Sequence, residues 1–112
     1  MRCLICLAVL FAAAAPVRAD LSELRVAFIN ELTGPVASLG RVCTHGVETA
    51  VRAHAPSNSI GGIPVKIMMG DARDDPAATV SEFRRLVELG GAQVVATIRS
   101  KSALPINPLA ER

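Results

Sequence analysis

Three short apolar runs, each followed by a segment with helical spacing, restrict what this chain can fold into. The first run is Arg25 to Asn30, and Gly40 to about Ala55 then reads as a helix. The second run, Val65 to Met69, precedes a helix with clear boundaries. Asp75 can cap it, Pro76 suits its first position and Gly90-Gly91 ends it. Ala92 to Ile98 is the third run, and the segment from Leu104 starts another helix. Strands that alternate with helices pair in parallel through right-handed crossovers. The expected fold class is therefore α/β, a three-layer αβα arrangement around a parallel sheet, with three βα units.

Within the helices the apolar positions predict which side is buried. Val42, Val47, Ala50, Val51 and His54 share one face of the first helix, and Val80, Phe83, Leu86, Val87 and Gly90 follow helical spacing in the second. Glu82, Arg84, Arg85 and Glu88 fall on the solvated side of that second helix. The apolar character of Val65 to Met69, interrupted by Lys66 alone, suits a strand buried on both faces. Pro56-Ser57-Asn58-Ser59 and Gly61-Gly62 mark the break and turn before it.

The stretch RVAFINELTGPVASLG carries the functional interest. An apolar strand breaks into a Thr-Gly-Pro turn and then opens a helix, which places a backbone-rich loop where open α/β sheets bind ligands. Thr33 and Ser38 can hydrogen-bond there, but the loop holds no activated nucleophile or evident base. Binding chemistry is expected rather than catalysis.

Residues 1–19 read as a secretory signal: Arg2 supplies a positive start, Leu4 to Ala15 the apolar core, and Val17-Arg18-Ala19 the small-residue cleavage site. The apolar run of about twelve residues is short of the roughly 20 that span a bilayer, so cleavage after Ala19 is preferred to membrane anchoring. Beyond that point eight Arg and two Lys balance four Asp and six Glu. A neutral mature chain implies no nucleic-acid or anionic-membrane partner, and once the signal is cleaved no direct membrane insertion is expected. Cys43 is the one cysteine left after removal of Cys3 and Cys6, which excludes an internal disulfide and suits a small packing side chain.

Metal and cofactor chemistry is not expected. His45 and His54 stand nine residues apart on one helix, unlike the i, i+4 spacing of a shared metal. Asp71, Asp74 and Asp75 could suggest a cation site, but a strand end, a solvated carboxylate and a helix cap account for them. Gly34 to Gly40 is too loosely spaced for a phosphate loop and no lysine follows it.

The segments LRVAFINELTGPVASLG, HGVETAV, IGGIPVKIMMGDARDDPAATVSEFRRLVE and AQVVATIRSKSALPINPLAE, in that order after a signal, carry a resemblance. Together they resemble the amino-terminal lobe of the leucine/isoleucine/valine-binding protein family, the periplasmic solute-binding proteins of ATP-binding-cassette importers. The resemblance implies a type I periplasmic binding fold of two α/β lobes closing over a small solute. It further implies that residues 20–112 are a truncated amino-terminal part of the first lobe, with strand order 2-1-3. The partners it implies are an amino acid or amide solute and the membrane permease of the importer, and the compartment is the periplasm. The alternatives are a periplasmic sensing domain or an enzyme on the same doubly wound fold, or a truncated product without function.

By the same resemblance the loop after the third strand presents a serine hydroxyl to the ligand carboxylate, and that serine falls on Ser100, with Ser102 as second candidate and Ile98 and Arg99 beside them. Helix capping would use the same geometry. Leu39 falls where relatives often carry an aromatic side chain, and could form an apolar wall or pack beneath the loop. Where some relatives have a disulfide this chain has Asp74 and Arg99, so an ion pair could take its place. Departures are the loss of glycines in Ala55-Pro56-Ser57-Asn58-Ser59-Ile60, Ala53 in place of an acidic residue, and Ala96 in place of glycine.

Overall fold

The structure of the protein, a computed structural model, describes residues 21–111; the expected signal segment lies outside them. Strand β1, Leu24–Asn30, forms the middle of the sheet and is followed by helix α1, Ala37–His54. A two-residue strand β2, Ser59–Ile60, turns at Gly61-Gly62 into β3, Ile63–Asp71. Helix α2, Pro76–Arg84, runs on as a π-turn over Arg85–Leu89, and β4 spans Val94–Thr97. Two one-turn helices, α3 at Ser100–Ala103 and α4 at Asn107–Ala110, close the description.

The sheet order is β2-β3-β1-β4, with β1 parallel to both β3 and β4. Strands β3, β1 and β4 are the expected second, first and third strands, so the 2-1-3 order holds. The hairpin strand β2 adds an antiparallel pair, Ser59 with Pro64 and Ile60 with Ile63, at the outer side of β3. The start of β3, Ile63 and Pro64, is exposed, as pairing with β1 begins only at Val65, and the strand is not buried on both faces as its composition suggested.

Register assigns the two faces. Ala27 and Ile29 of β1 are fully buried and cluster with Ala72, Phe83, Leu86, Ala92 and Ile106, while Met68, Val80, Val87, Val95 and Leu109 pack around them. This is the α2 side, and it holds the core. Because side chains alternate along a strand, Val26, Phe28 and Asn30 point to the other side, with Ile67, Met69 and Asp71 opposite them on β3. Helix α1 covers that side loosely. Its Thr44, Val47, Glu48, Val51 and Arg52 line a groove of about 430 Å³ with Ile67 and Met69.

Helix α1 departs from the expected pattern in two respects. It begins at Ala37, three residues before Gly40, after a turn in which Gly34 takes φ of 88°. Its sheet-facing stripe runs through Gly40, Thr44, Val47 and Val51, whereas Val42 is 69% exposed and Ala50 and His54 are exposed with it. The close approach of Gly40 to the sheet sets this rotation: a Cβ there would overlap the carbonyl oxygen of Glu31.

Helix α2 meets its expected start. The Asp75 carboxylate accepts from the N–H groups of Ala77 and Ala78, at 3.3 and 3.1 Å, with Pro76 at the first position. At its far end the Gly90 N–H reaches the Arg85 carbonyl, and Gly91 takes φ of 70° to end the helix. Glu82 and Arg85 are not simply solvated: they pair, and Arg85 also donates to the Met69 carbonyl on the outer edge of β3. Ala92 and Ile98 lie outside β4, since Ala92 turns into the core. The helix expected from Leu104 begins later, as α4 at Asn107–Ala110, and the unexpected turn α3 precedes it; Pro105, which cannot donate a helical hydrogen bond, lies between the two.

Candidate functional site

Parallel pairing brings the carboxyl ends of β1, β3 and β4 to one side of the sheet, and three loops leave from it. The first, after Asn30, is fixed by a side chain from the second. Asp71, last residue of β3, accepts from the N–H of Leu32 at 2.9 Å, the N–H of Thr33 at 3.2 Å and the Thr33 hydroxyl at 2.6 Å. The Arg73 N–H adds a fourth bond at 3.0 Å. Partial burial works to raise the Asp71 pKa, but the Thr33 hydroxyl and the three N–H donors outweigh it and hold the carboxyl below its usual range. The ionised form is the one these donors select.

The second loop carries backbone strain. Arg73 and Asp74 both take φ of 54°, a region that non-glycine residues seldom occupy. This conformation delivers Asp74 to the third loop, where its Oδ1 meets Arg99 Nη1 at 2.5 Å and its Oδ2 meets Lys101 Nζ at 3.2 Å. Hydrogen bonds from Lys101 and then Arg99 hold the Asp74 carboxyl below its ordinary range. The ion pair expected from the resemblance at Asp74 and Arg99 is present, and Asp74 is half-buried rather than freely solvated.

The third loop runs from Ile98 into α3. Ser100 is the first residue of that helix and is exposed, so the helix begins at the serine itself and not four residues later. Ser102 is buried, and its hydroxyl donates to Glu31 Oε1 at 2.6 Å. Ile98 is half-buried, on the side of the sheet that alternation assigns to α1, and Leu39, 48% exposed, stands in the first turn of α1. The fold thus brings Leu39, Ile98, Arg99 and Ser100 to one end of the sheet, whereas the Ser102 side chain turns inward.

Two residues at this end escape a reading of the sequence. Asn30 and Glu31 are fully buried, and the amide atoms of Asn30 and Oε2 of Glu31 have no hydrogen-bond partner among the described residues. In sequence they read as the last residue of a strand and the polar start of a loop; the approach of Gly40 in α1 and of Ser102 in α3 to Glu31 comes from segments farther along the chain. Among the described residues no group of three or more His, Cys, Asp or Glu side chains is placed to hold a metal ion.

A model of the periplasmic binding protein family matches residues 23–112. The chain belongs to the periplasmic binding protein family. Leu/Ile/Val-binding protein homolog 3 of Brucella melitensis is 30% identical over 86 residues, which are 77% of this chain and 23% of that protein. Leu/Ile/Val-binding protein BraC3 of Rhizobium johnstonii matches to the same extent. Among solved structures, a possible leucine/isoleucine/valine-binding protein of Rhodopirellula baltica superposes with a TM-score of 0.72 at 26% identity, covering 88% of this chain and 26% of that one. A solute-binding protein of an ABC transporter from Rhodopseudomonas palustris, in complex with 3,4-dihydroxybenzoic acid, gives 0.73 at 22% identity over 80% of this chain and 24% of its own. These likenesses establish the fold as part of a type I periplasmic binding lobe. The chain spans about a quarter of the length of the family members it matches.

Proposed function

We propose that this chain forms the amino-terminal part of the first lobe of an exported solute-binding protein that serves an ABC importer. In this reading residues 1–19 are cleaved after Ala19, residues 20–112 act in the periplasm, and a membrane permease receives the loaded protein. The solute is a small carboxylate-bearing molecule, an amino acid or amide or an aromatic acid, held without covalent chemistry. The range reflects the relatives, among which are Leu/Ile/Val-binding proteins and a protein in complex with 3,4-dihydroxybenzoic acid.

The observation that carries the reading is the convergence of three βα loops on one end of the sheet, with Ser100 exposed beside a guanidinium already neutralised by Asp74. Ser100 donates its hydroxyl to the solute carboxylate, Leu39 and Ile98 supply apolar walls, and Arg99 and Ser102 hold the loop. With both charges of the Asp74–Arg99 pair satisfied internally, the solute is recognised by hydrogen bonds and shape.

Titration calorimetry on the chain, produced with whatever follows Arg112 in its reading frame, tests this against a panel of aliphatic amino acids, their amides and benzoic acids. One class is expected to bind, and Ser100→Ala to weaken it about tenfold, as loss of a hydrogen bond to a charged group does. Absence of binding across the panel would overturn the proposal. Unchanged affinity in the serine variant would remove Ser100 from the site.

A further inference from the structure

We infer that Glu31 is a positioning residue, the buried acceptor that fixes the β4–α3 segment and with it the orientation of Ser100. The inference rests on the binding reading only for the consequence to a solute; the mechanical claim stands by itself.

Glu31 ends no helix and pairs with no neighbour in sequence. Its side chain is 1% exposed, and its Oε1 accepts the Ser102 hydroxyl at 2.6 Å, across a separation of 71 residues. The same oxygen stands 3.8 Å from Arg99 Nη1, whose other carboxylate partner is Asp74. Ser100 therefore lies between two residues, Arg99 and Ser102, that Glu31 reaches from beneath. Its other oxygen, Oε2, has no hydrogen-bond partner among the described residues, so the contacts Glu31 makes with this segment run through Oε1.

The backbone around the serine shows why an anchor is needed. Helix α3 has a single turn, closed by the N–H groups of Ser102 and Ala103 on the Arg99 carbonyl and of Leu104 on the Ser100 carbonyl. A helix of one turn is not stable by itself. Pro105 prevents its extension, and Arg99 offers no side-chain cap to its first turn. Side-chain contacts hold the turn in place: Glu31, just after β1, accepts the Ser102 hydroxyl from beneath, and Asp74 takes Arg99 and Lys101 from the β3–α2 loop. Gly40 completes the anchor from the other side, since α1 lies against the Glu31 backbone carbonyl and prevents that residue from moving away.

Hydrogen exchange on the full chain tests the claim without any solute. In Glu31→Ala, protection of the Ala103 and Leu104 amides is expected to fall about tenfold or more, while the sheet amides of Ile29 and Val95 keep theirs relative to the wild type. Ser102→Ala should reproduce the local loss. Glu31→Gln, which keeps an oxygen for the Ser102 hydroxyl, should restore most of the protection. Loss spread evenly over sheet and α3 would mark Glu31 as a general stability residue and overturn the inference, as would unchanged exchange in α3. Should Glu31→Ala not fold, the comparison of Ser102→Ala with Glu31→Gln decides in the same way. If a solute binds, its affinity should follow the exchange at α3 across the three variants; absence of any binding would count against the proposed function and leave the exchange result standing.

Discussion

Gly40 and Gly46 lie on the same helix and make opposite demands. In a helix interior alanine is favoured over glycine by about 1 kcal/mol. At Gly46, where an added Cβ would meet nothing within 4 Å, that propensity acts alone. At Gly40 the same methyl group would overlap the Glu31 carbonyl oxygen, a backbone atom that cannot rotate away. Overpacking of this type costs about 1–3 kcal/mol and here removes the contact that seats α1 on the sheet. Gly46→Ala should therefore raise stability by about 1 kcal/mol in chemical denaturation, and Gly40→Ala should lower it by about 2 kcal/mol. Equal effects at the two positions would show that α1 does not rest on the Glu31 backbone through Gly40. Sequence showed both glycines inside an apparent helix but could not separate them, since the difference is a contact with a residue nine positions earlier in another element.

At the scale of elements, the loop between β3 and α2 and the loop between β4 and α3 are joined by charge. Asp74 meets both Arg99 and Lys101, and two consecutive residues in a left-handed conformation aim it there. In a double-mutant cycle, Asp74→Ala and Arg99→Ala should each destabilise the protein and the pair should lose less than the two together. The coupling has a sign in pH. Because the folded-state pKa of Asp74 is depressed, its contribution is complete above the unfolded carboxylate value, near 4, and is lost as pH falls through the lower folded value. The cycle run at neutral pH and then at successively lower pH should show coupling that fades as the Asp74 carboxyl takes up its proton. Additive effects at every pH would reduce the pair to solvated charges.

How far the elements were legible follows from how local their causes are. The cap at Asp75 with Pro76, and the stop at Gly90-Gly91, act within a few residues, and α2 starts and its helical run stops where they indicate. Helix α1 lacks such signals, having Val36 at its cap without a side-chain bond, and its start and its buried face both came out differently. The hairpin strand β2 was hidden because two residues present no period. In the candidate site, Ser100, Arg99 and Asp74 could be placed through family resemblance, whereas Glu31 could not, because its burial depends on a segment 71 residues away.

For the molecule as a whole, the two edges of the sheet differ in how they are protected. On the β3 side, the hairpin strand β2 covers the start, and the Arg85 guanidinium donates to the Met69 carbonyl further along. On the β4 side no strand lies beyond Val94–Thr97 among the described residues, and Val94 is 46% exposed. An unpaired strand with apolar side chains is a template for another chain, and charge on the strand is the usual deterrent. Sedimentation velocity on the chain ending at Arg112 should therefore show concentration-dependent association in the micromolar range. Val94→Lys should suppress it, because the new ammonium at the edge must be desolvated for a second strand to pair, whereas Arg85→Ala should strengthen association by freeing the other edge. A strictly monomeric chain at these concentrations would mean that β4 is shielded by something other than a strand. A Val94→Lys variant that associates as before would place the contact elsewhere, with the exposed groove beneath α1 the next surface to examine.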